Sequence, residues 1–263
     1  MKKTLWTLAV VLFFSWQAFA QNQVCNRRYQ VAVNNYAPFF SRDKNNHPEG
    51  ITHDMVLDLQ KRLGCTFMEK ELFRPAAVEH MKGGRLDMVL LVLQGAEFGS
   101  SAEFVSLYKV KREVVVLKDH YAKDRNVESY INDKKMIFGN IIGTRTALTQ
   151  DEEKMLLKSR RLMEAVDYQS LFELLGKGRI QALALTSFVN SHYLKKSKIE
   201  DKVVRIVDED NVTEVGVYFS IRRMDAEERL KIQKALQDMV EDGSFAKMLA
   251  KYMSKTSLGE VTR

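Results

Sequence analysis

Three aromatic residues follow a short apolar segment near the start of the chain and offer a surface for a ligand. Tyr36, Phe39 and Phe40 lie in a proline-containing loop directly after a predicted strand that begins at Val31. In open α/β sheets, ligands bind in the crevice outside the carboxyl ends of the strands. An aromatic cluster at this place is therefore a candidate ligand platform, in which we favour Tyr36 for ligand contact and Phe40 next. The alternative is that Phe39 and Phe40 cover the end of the sheet as core residues.

Residues that could do catalytic or metal chemistry do not form a recognisable pattern. The five histidines lack metal-ligand spacing such as His-x-x-x-His, and His53 beside Asp54 is typical of a helix start. The sequence contains no Gly-x-Ser-x-Gly elbow and no glycine loop that would cradle a phosphate. We therefore expect a protein that is not an enzyme and that uses no metal and no cofactor.

The first twenty residues have the anatomy of a secretory signal. Lys2 and Lys3 are followed by an apolar run over 5–14 and by the small-x-small pattern of Ala18-Phe-Ala20. A membrane-spanning helix needs about 20 apolar residues, so a retained anchor is the less favoured alternative. We expect cleavage after Ala20 and a periplasmic location for the rest of the chain.

Charge excludes a nucleic-acid-binding surface. Cleavage removes Lys2 and Lys3, which lowers the formal net charge from +7 to +5. The remaining basic residues are interspersed with nearly as many acidic ones, which is typical of a solvated surface rather than of a basic stripe. We expect no nucleic acid among the partners, and a monomer.

The two cysteines predict one disulfide. Cys25 comes just before the first strand and Cys65 just before the next one. Neighbouring parallel strands would bring both starts to the same edge of the sheet, and an oxidising compartment favours the bridge. Two buried free thiols are the alternative.

Apolar periodicity predicts alternating strands and helices. A helix is expected over 51–63, with Thr52 as its cap and Gly64 as its stop, between strands at 31–35 and 66–71. A short helix opening at Pro75 leads to an aliphatic strand at 86–93. The pattern β-α-β-α-β is typical of a parallel sheet.

An internal echo indicates two lobes of the same plan. Residues 82–89 read Lys-Gly-Gly-Arg-Leu-Asp-Met-Val, and residues 176–183 read Gly-Lys-Gly-Arg-Ile-Gln-Ala-Leu. Each combines a helix end, a glycine turn, a basic residue and a buried strand. We expect two β-α-β lobes that face each other across a cleft.

At this point the chain resembles bacterial periplasmic solute-binding proteins, in particular those of polar amino-acid ABC importers. The matching segments are spread in family order over nearly the whole mature chain; they lie at 33–39, 50–54 with 59–64, 84–87, 104–108, 143–144, 178–180, and 242–247 with 251–252. The resemblance implies an α/β, two-lobed periplasmic-binding-protein fold of type II, each lobe a mostly parallel sheet flanked by helices. It implies a first lobe of residues 21–112 plus 215–263, and a second lobe of residues 113–214.

The resemblance also implies which residues contact the ligand. Tyr36 matches the family's loop aromatic that packs on the ligand, and Gln94 takes the place of the usual Thr or Ser. Thr144 follows the family's glycine, where N–H groups near a helix start receive an anionic group. Arg145 is next to it and offers a bidentate contact to an anion, or else is a surface side chain.

Two departures from the family pattern count against an amino-acid ligand. The arginine that clamps the substrate carboxylate is missing, and Phe98 or Gly99 stands nearest to its position. Thr186 stands where the family has the aspartate that takes the α-ammonium, and a buried ammonium without a carboxylate partner is costly. The replacement set suits a neutral or anionic molecule; it comprises Tyr36, Phe40, Gln94, Phe98, Thr144, Thr186 and Ser187, with Arg74 and Arg145 as anion contacts.

Two functions remain open at this stage. The first is delivery of a small molecule to an ABC permease. The second is a degenerate binding module that acts as a ligand sensor or interaction partner of a membrane signalling protein. Because some relatives of this fold are dehydratases with an acid in the cleft, an enzyme would need a carboxylate such as Glu97 in the site.

Overall fold

The computed structural model describes residues 25, 27–144, 147–253 and 261–262. Nine strands of this part form one sheet, in the order β4-β1-β5-β10-β6-β9-β7-β8, with β11 added to β6. The strands are β1 (Arg28–Asn34), β2 (Ser41–Arg42), β3 (Pro48–Glu49), β4 (Thr66–Leu72), β5 (Met88–Leu93), β6 (Ala102–Leu117), β7 (Phe138–Ile141), β8 (Leu162–Ala165), β9 (Ala182–Thr186), β10 (Val203–Ser220) and β11 (Val261–Thr262). Of these, β2 and β3 form a separate two-stranded sheet.

The described residues also form eight α-helices, which pack on this sheet. They are α1 (Ile51–Leu63), α2 (Arg74–Lys82), α3 (Val127–Asn132), α4 (Gln150–Lys158), α5 (Tyr168–Gly176), α6 (Ser187–Ser197), α7 (Ala226–Glu241) and α8 (Ser244–Tyr252). The helix predicted over 51–63 is confirmed. Within the described residues, no helix is both long enough and apolar enough to cross a membrane.

Each lobe contains three parallel strands. In the first lobe β1 pairs with β4 and β5, and in the second lobe β7 pairs with β8 and β9. The long antiparallel strands β6 and β10 run through both lobes and join them. The carboxyl ends of the parallel strands in both lobes therefore border one interlobe cleft.

The strand β10 is longer than the sequence indicates. Apolar periodicity predicts two strands, over 203–207 and 215–221, with a polar segment between them. The structure has one strand over Val203–Ser220, with register shifts between Asp208 and Val212 and between Val215 and Gly216. Polar side chains that point to solvent hide the middle of this strand from a pattern based on burial, although its backbone remains paired.

The helix α1 begins against the Tyr36 loop. Gly50 is its N-cap residue, at φ +123°, where a Cβ would lie 2.5 Å from the carbonyl oxygen of Phe39. The cap predicted at Thr52 is wrong, because its hydroxyl donates a hydrogen bond of 2.8 Å to that same carbonyl. Gly64 ends the helix in the left-handed conformation, as predicted.

The repeated sequence pattern at 82–89 and 176–183 corresponds to two matching helix-to-strand turns. Gly84 and Gly178 have φ values of +65° and +68°, and both follow the end of a crossover helix. Asp87 accepts from the backbone N–H of Gln30 at 2.6 Å, and Gln181 accepts from the N–H of Ile137 at 3.0 Å. The two lobes therefore repeat the same helix-to-strand turn, with the side chain three residues after the glycine tied to the neighbouring strand.

The predicted disulfide between Cys25 and Cys65 is confirmed. The two Cα atoms are 5.3 Å apart, within the range of natural disulfides. The geometry follows from the parallel pairing of β1 and β4, in which Arg28 lies opposite Thr66. Residues 1–20, which carry the predicted signal, lie outside the described residues.

Candidate ligand site between the lobes

The Tyr36 loop is held in place by its own turn and by α1. The carbonyl oxygen of Tyr36 accepts from the N–H groups of Phe39 and Phe40 at 3.1 and 2.9 Å. The first N–H groups of α1, those of Ile51 and Thr52, donate to the carbonyls of Pro38 and Phe39. Because helix starts leave such N–H groups free, α1 fixes the loop at the mouth of the cleft.

The opposite wall comes from the carboxyl ends of three strands of the second lobe. Thr144 follows β7, Tyr168 follows β8 and begins α5, and Thr186 ends β9. The Thr144 hydroxyl donates to the carbonyl of Ile141 at 3.0 Å, which fixes the loop after β7. Before it, Gly143 approaches the first lobe so closely that a Cβ would lie 2.9 Å from Pro75 Cγ.

The two walls meet through their tyrosines. The rings of Tyr36 and Tyr168 lie 4.7 Å apart between centroids. Burial raises the pKa of Tyr36 to about 12, against the opposing effects of the Arg74 charge and of a hydrogen bond to Tyr168. Burial also raises the pKa of Tyr168 well above 10. Both hydroxyls therefore keep their protons at neutral pH and act as neutral hydrogen-bonding groups.

Two small cavities of about 40 Å³ each lie on either side of this tyrosine contact. The first, called the aromatic cavity, is lined by Tyr36, Phe39, Leu91, Leu93, Tyr108, Ala147, Tyr168, Leu185, Thr186, Phe188, Val189 and Val215. The second, called the arginine cavity, is lined by Asn34, Asn35, Tyr36, Leu72, Phe73, Arg74, Val92, Leu93, Thr144 and Tyr168. Both draw residues from both lobes.

Arg74 brings a positive charge to the arginine cavity. Its Nε forms an ion pair with Glu97, and its Nη2 donates to the carbonyl of Leu93 at 2.8 Å. The guanidinium lies 5.4 Å from the centre of the Phe98 ring, which stacks in turn on Tyr218. Since Phe98 is fully buried, it supports Arg74 from the core.

A groove of about 490 Å³ lies outside the arginine cavity, at the mouth of the cleft. Glu97 and Glu153 line it together with Arg74 and Thr144. Glu97 thus faces the mouth of the cleft and neutralises Arg74 there. Because of these carboxylates, the mouth of the cleft is more negative than the arginine cavity behind it.

A larger cavity of about 640 Å³ lies elsewhere, in the second lobe. Its buried centre is Arg112, whose Nη1 donates to both oxygens of Glu152 and whose Nε donates to Asp208. Among the predicted ligand contacts that the structure describes, none lines this cavity. Its polar side chains join α4 to β6 and β10.

The structure brings four of the predicted site residues together. Tyr36, Arg74, Thr144 and Thr186 line the two cavities. Ser187 is fully buried at the start of α6, and its Oγ has no hydrogen-bond partner among the described residues. Arg145 lies outside the described residues.

Three predicted residues stand apart from the two cavities. Phe40 is 1% exposed and lies in the core beside His53, while Phe39 lines the aromatic cavity. This reverses the order expected for the two phenylalanines. Gln94 is exposed just after β5, and Phe98 lies in the core beneath Arg74.

Sequence reasoning missed three aromatic residues that line the aromatic cavity. Tyr168 follows β8, a four-residue strand with two exposed residues that carries little apolar signal. Phe188 lies on α6, which the apolar pattern does not mark, and Tyr108 lies in the middle of β6. The rule about strand ends would have found Tyr168 if β8 had been recognised.

Comparison with known proteins identifies the family. A family model for bacterial extracellular solute-binding proteins, family 3, matches residues 29–255. The chain belongs to this family. It is 27% identical over 263 residues to the histidine-binding periplasmic protein of Escherichia coli (strain K12), covering 96% of this chain and 97% of that protein. It is 25% identical over 222 residues to an L-cystine-binding protein of Bacillus subtilis (strain 168), covering 84% and 78%.

Solved structures of the same fold agree with this assignment. An ancestral arginine-binding protein bound to arginine has a TM-score of 0.69 at 20% identity, covering 86% of this chain and 98% of that one. A histidine kinase sensor domain similar to periplasmic binding proteins also has a TM-score of 0.69, at 14% identity, covering 87% and 96%. The two-lobed α/β fold of periplasmic binding proteins is therefore confirmed for this family member.

Proposed function

We propose that this protein is a periplasmic solute-binding protein that captures a small molecule in the interlobe cleft and delivers it to an ABC-type importer. The observation that carries the proposal is the meeting of Tyr36 and Tyr168 from opposite walls, with Arg74 and Thr144 beside them. A ligand that touches both walls stabilises the closed arrangement of the lobes.

The ligand is not a standard α-amino acid. Arg74 is the charged residue among the described lining residues of the two cavities, and Thr186 stands at the end of β9 where an ammonium partner would be needed. An ammonium group placed in either cavity would lose hydration without gaining a carboxylate. We therefore expect that neither histidine nor L-cystine, which the named relatives bind, is the ligand of this chain.

A thermal-shift screen of the mature, disulfide-bonded protein tests this proposal. The panel contains amino acids, peptides, sugars and organic acids. A ligand present at a hundred times its Kd stabilises by about 2.7 kcal/mol, which raises the Tm of a chain of this size by about 5–10 °C. We expect such a shift from a neutral or anionic molecule, and its loss in Tyr36→Ala.

The control for this screen is Tyr121→Ala, which removes an exposed tyrosine of the second lobe outside the cavities. It should keep the full shift. A shift of similar size with histidine, arginine or another standard amino acid would contradict the proposed ligand class. The absence of any shift across the panel would contradict ligand capture itself.

The proposal includes export to the periplasm and a division of the mature chain into two lobes. Residues 1–20 are a leader that is removed on export, and Gln21 is the first residue of the mature protein. Residues 21–112 plus 215–263 move as one lobe against residues 113–214, with the hinge where β6 and β10 cross. Mass spectrometry of the exported protein should find Gln21 at the amino terminus, whereas a retained Met1 would contradict the leader.

A second candidate function is ligand sensing for a membrane signalling protein. The fold is shared with the histidine kinase sensor domain, and the two cavities are small while Tyr36 and Tyr168 are in contact. The genes beside this one distinguish the two functions. A permease and an ATPase favour delivery, whereas a sensor kinase or a cyclase favours sensing.

A further inference from the structure

The lining of the aromatic cavity favours an uncharged, ring-shaped group. Phe39 and Phe188 line it from opposite lobes, and their ring centroids are 6.3 Å apart. Every described lining residue is apolar or neutral. A charged group here would lose hydration without a counter-charge, whereas a ring gains edge-to-face contacts with its neighbours.

The hydroxyl of Tyr108 is a buried polar group of this cavity that lacks a hydrogen-bond partner among the described residues. Tyr108 is 3% exposed and lines the cavity. Burial raises the pKa of Tyr108, so the hydroxyl keeps its proton and remains a donor. An oxygen atom on the ring of a ligand would satisfy this donor.

The lining of the arginine cavity favours a carboxylate. Nε and Nη2 of Arg74 are held by Glu97 and by the Leu93 carbonyl, and Nη1 takes part in neither contact. A guanidinium recognises a carboxylate through paired N–H donors. The Glu97 side chain is 36% exposed, so it can turn toward solvent when another carboxylate takes its place.

The two cavities are adjacent compartments of one site. Both are bordered by Tyr36, Leu93 and Tyr168. Each cavity of about 40 Å³ has room for little more than water, so a ligand that fills both must part the two tyrosine rings. The neutral and cationic compartments then receive opposite ends of the same molecule.

The geometry points to a small aromatic carboxylate as the ligand. Its ring lies in the aromatic cavity, an oxygen substituent of the ring accepts from the Tyr108 hydroxyl, and its carboxylate binds Arg74. This inference rests on the proposed function and narrows it to one ligand class. The ring is held between Phe39 and Phe188, and the displaced Tyr36 covers it from the first lobe. Arg74 selects the acid, and Tyr108 selects the ring substituent.

Isothermal titration of the mature protein with three related compounds tests the inference. The compounds are 4-hydroxyphenylacetate, phenylacetate, which lacks the ring hydroxyl, and 4-hydroxyphenethyl alcohol, which lacks the carboxylate. We expect the hydroxylated acid to bind about tenfold or more tightly than the alcohol, and Arg74→Gln to abolish that difference. Tyr108→Phe should weaken the hydroxylated acid by about three- to tenfold relative to phenylacetate.

Matched variants control for unspecific effects. Arg42→Gln breaks an ion pair with Glu71 outside the two cavities, and Tyr130→Phe removes a hydroxyl in the core of the second lobe. Both should leave the three affinities and their ratios unchanged. Circular dichroism verifies that each variant is folded, and Tyr108→Phe keeps the buried ring in place.

The outcomes separate this inference from the proposed function. Equal affinity for the acid and the alcohol, or an unchanged ratio in Arg74→Gln, overturns the assignment of the arginine cavity. If another solute class binds and none of the three compounds does, the ligand class is wrong while solute capture stands. If no solute of any class binds, both proposals fall.

Discussion

At the residue scale, Gly50 determines how closely the Tyr36 loop can approach α1. Its φ of +123° disfavours any other residue, and a Cβ would lie 2.5 Å from the Phe39 carbonyl oxygen. That carbonyl accepts from the N–H and from the hydroxyl of Thr52. Displacing this carbonyl therefore disturbs the Tyr36 loop, which lines the aromatic cavity.

Replacing Gly50 with alanine should be costly. We expect Gly50→Ala to lower the free energy of unfolding by about 3 kcal/mol, because it adds a backbone clash to an unfavourable φ. Gly243→Ala is the matched control, since Gly243 has φ +80° and no atom near the added Cβ. It should lose only about 1 kcal/mol in urea denaturation. Equal losses would contradict the close approach.

The buried tyrosines predict a loss of stability in alkali. Burial raises the pKa of Tyr36 to about 12, above the value of about 10 in an unfolded chain. The contribution from its protonated form is thus fully present below pH 10 and is lost between pH 10 and pH 12. Urea denaturation over this range should show a steeper decline for the natural protein than for Tyr36→Phe. Parallel curves would count against a buried phenol.

At the element scale, the disulfide ties the start of β1 to the start of β4. It joins cysteines separated by 40 positions. A loop of this length corresponds to about 4 kcal/mol of stabilisation through the entropy of the unfolded chain. The bridge thus fixes the strand that leads into the Tyr36 loop.

Removing the disulfide should lower stability without changing the fold of the cleft. We expect the double variant Cys25→Ser, Cys65→Ala to lose about 3–4 kcal/mol in urea denaturation. Reduction of the natural protein should reproduce most of this loss. Thiol labelling of the denatured, unreduced protein should detect no free cysteine, and two labelled thiols would contradict the bridge.

Elements with one buried face were predictable, and elements without one were not. The helix α1 buries Ile51, Met55, Val56 and Leu59 along one side, and its sequence shows that stripe directly. In contrast, β8 has two exposed residues among four, and the middle of β10 is half exposed. Hydrophobic periodicity records burial, so it omits segments that are fixed mainly by backbone pairing.

At the scale of the whole molecule, the two lobes share one hydrophobic core. The cluster that contains Val31 and Phe40 of the first lobe continues through Tyr108 to Tyr168 and Phe188 of the second. The cleft is therefore closed by aromatic contacts between the lobes. Opening the cleft exposes these rings to water, and a ligand compensates for this cost by contacting them in place of the opposite lobe.

Truncating Tyr36 should favour the open arrangement. With the proposed leader removed, a compact chain of 243 residues would have a radius of gyration of about 18 Å. We expect small-angle X-ray scattering to give a value near this for the natural protein and a larger one for Tyr36→Ala. Tyr121→Ala should match the natural protein. An unchanged radius in Tyr36→Ala would show that this contact does not hold the lobes together.

The sequence by itself determined the elements with strong apolar faces, the two matching glycine corners, the disulfide and the loop aromatic Tyr36. Apart from the disulfide, each of these depends on residues close together in the chain or on a repeated pattern. The disulfide, between cysteines 40 positions apart, follows from the pairing of the two parallel strands that the cysteines precede. Only the tertiary structure decided that Tyr168, Phe188 and Tyr108 face Tyr36, and that Phe98 supports Arg74 from the core. These contacts join residues from separate elements, and the direction of each side chain depends on strand register and helix packing that no local pattern encodes.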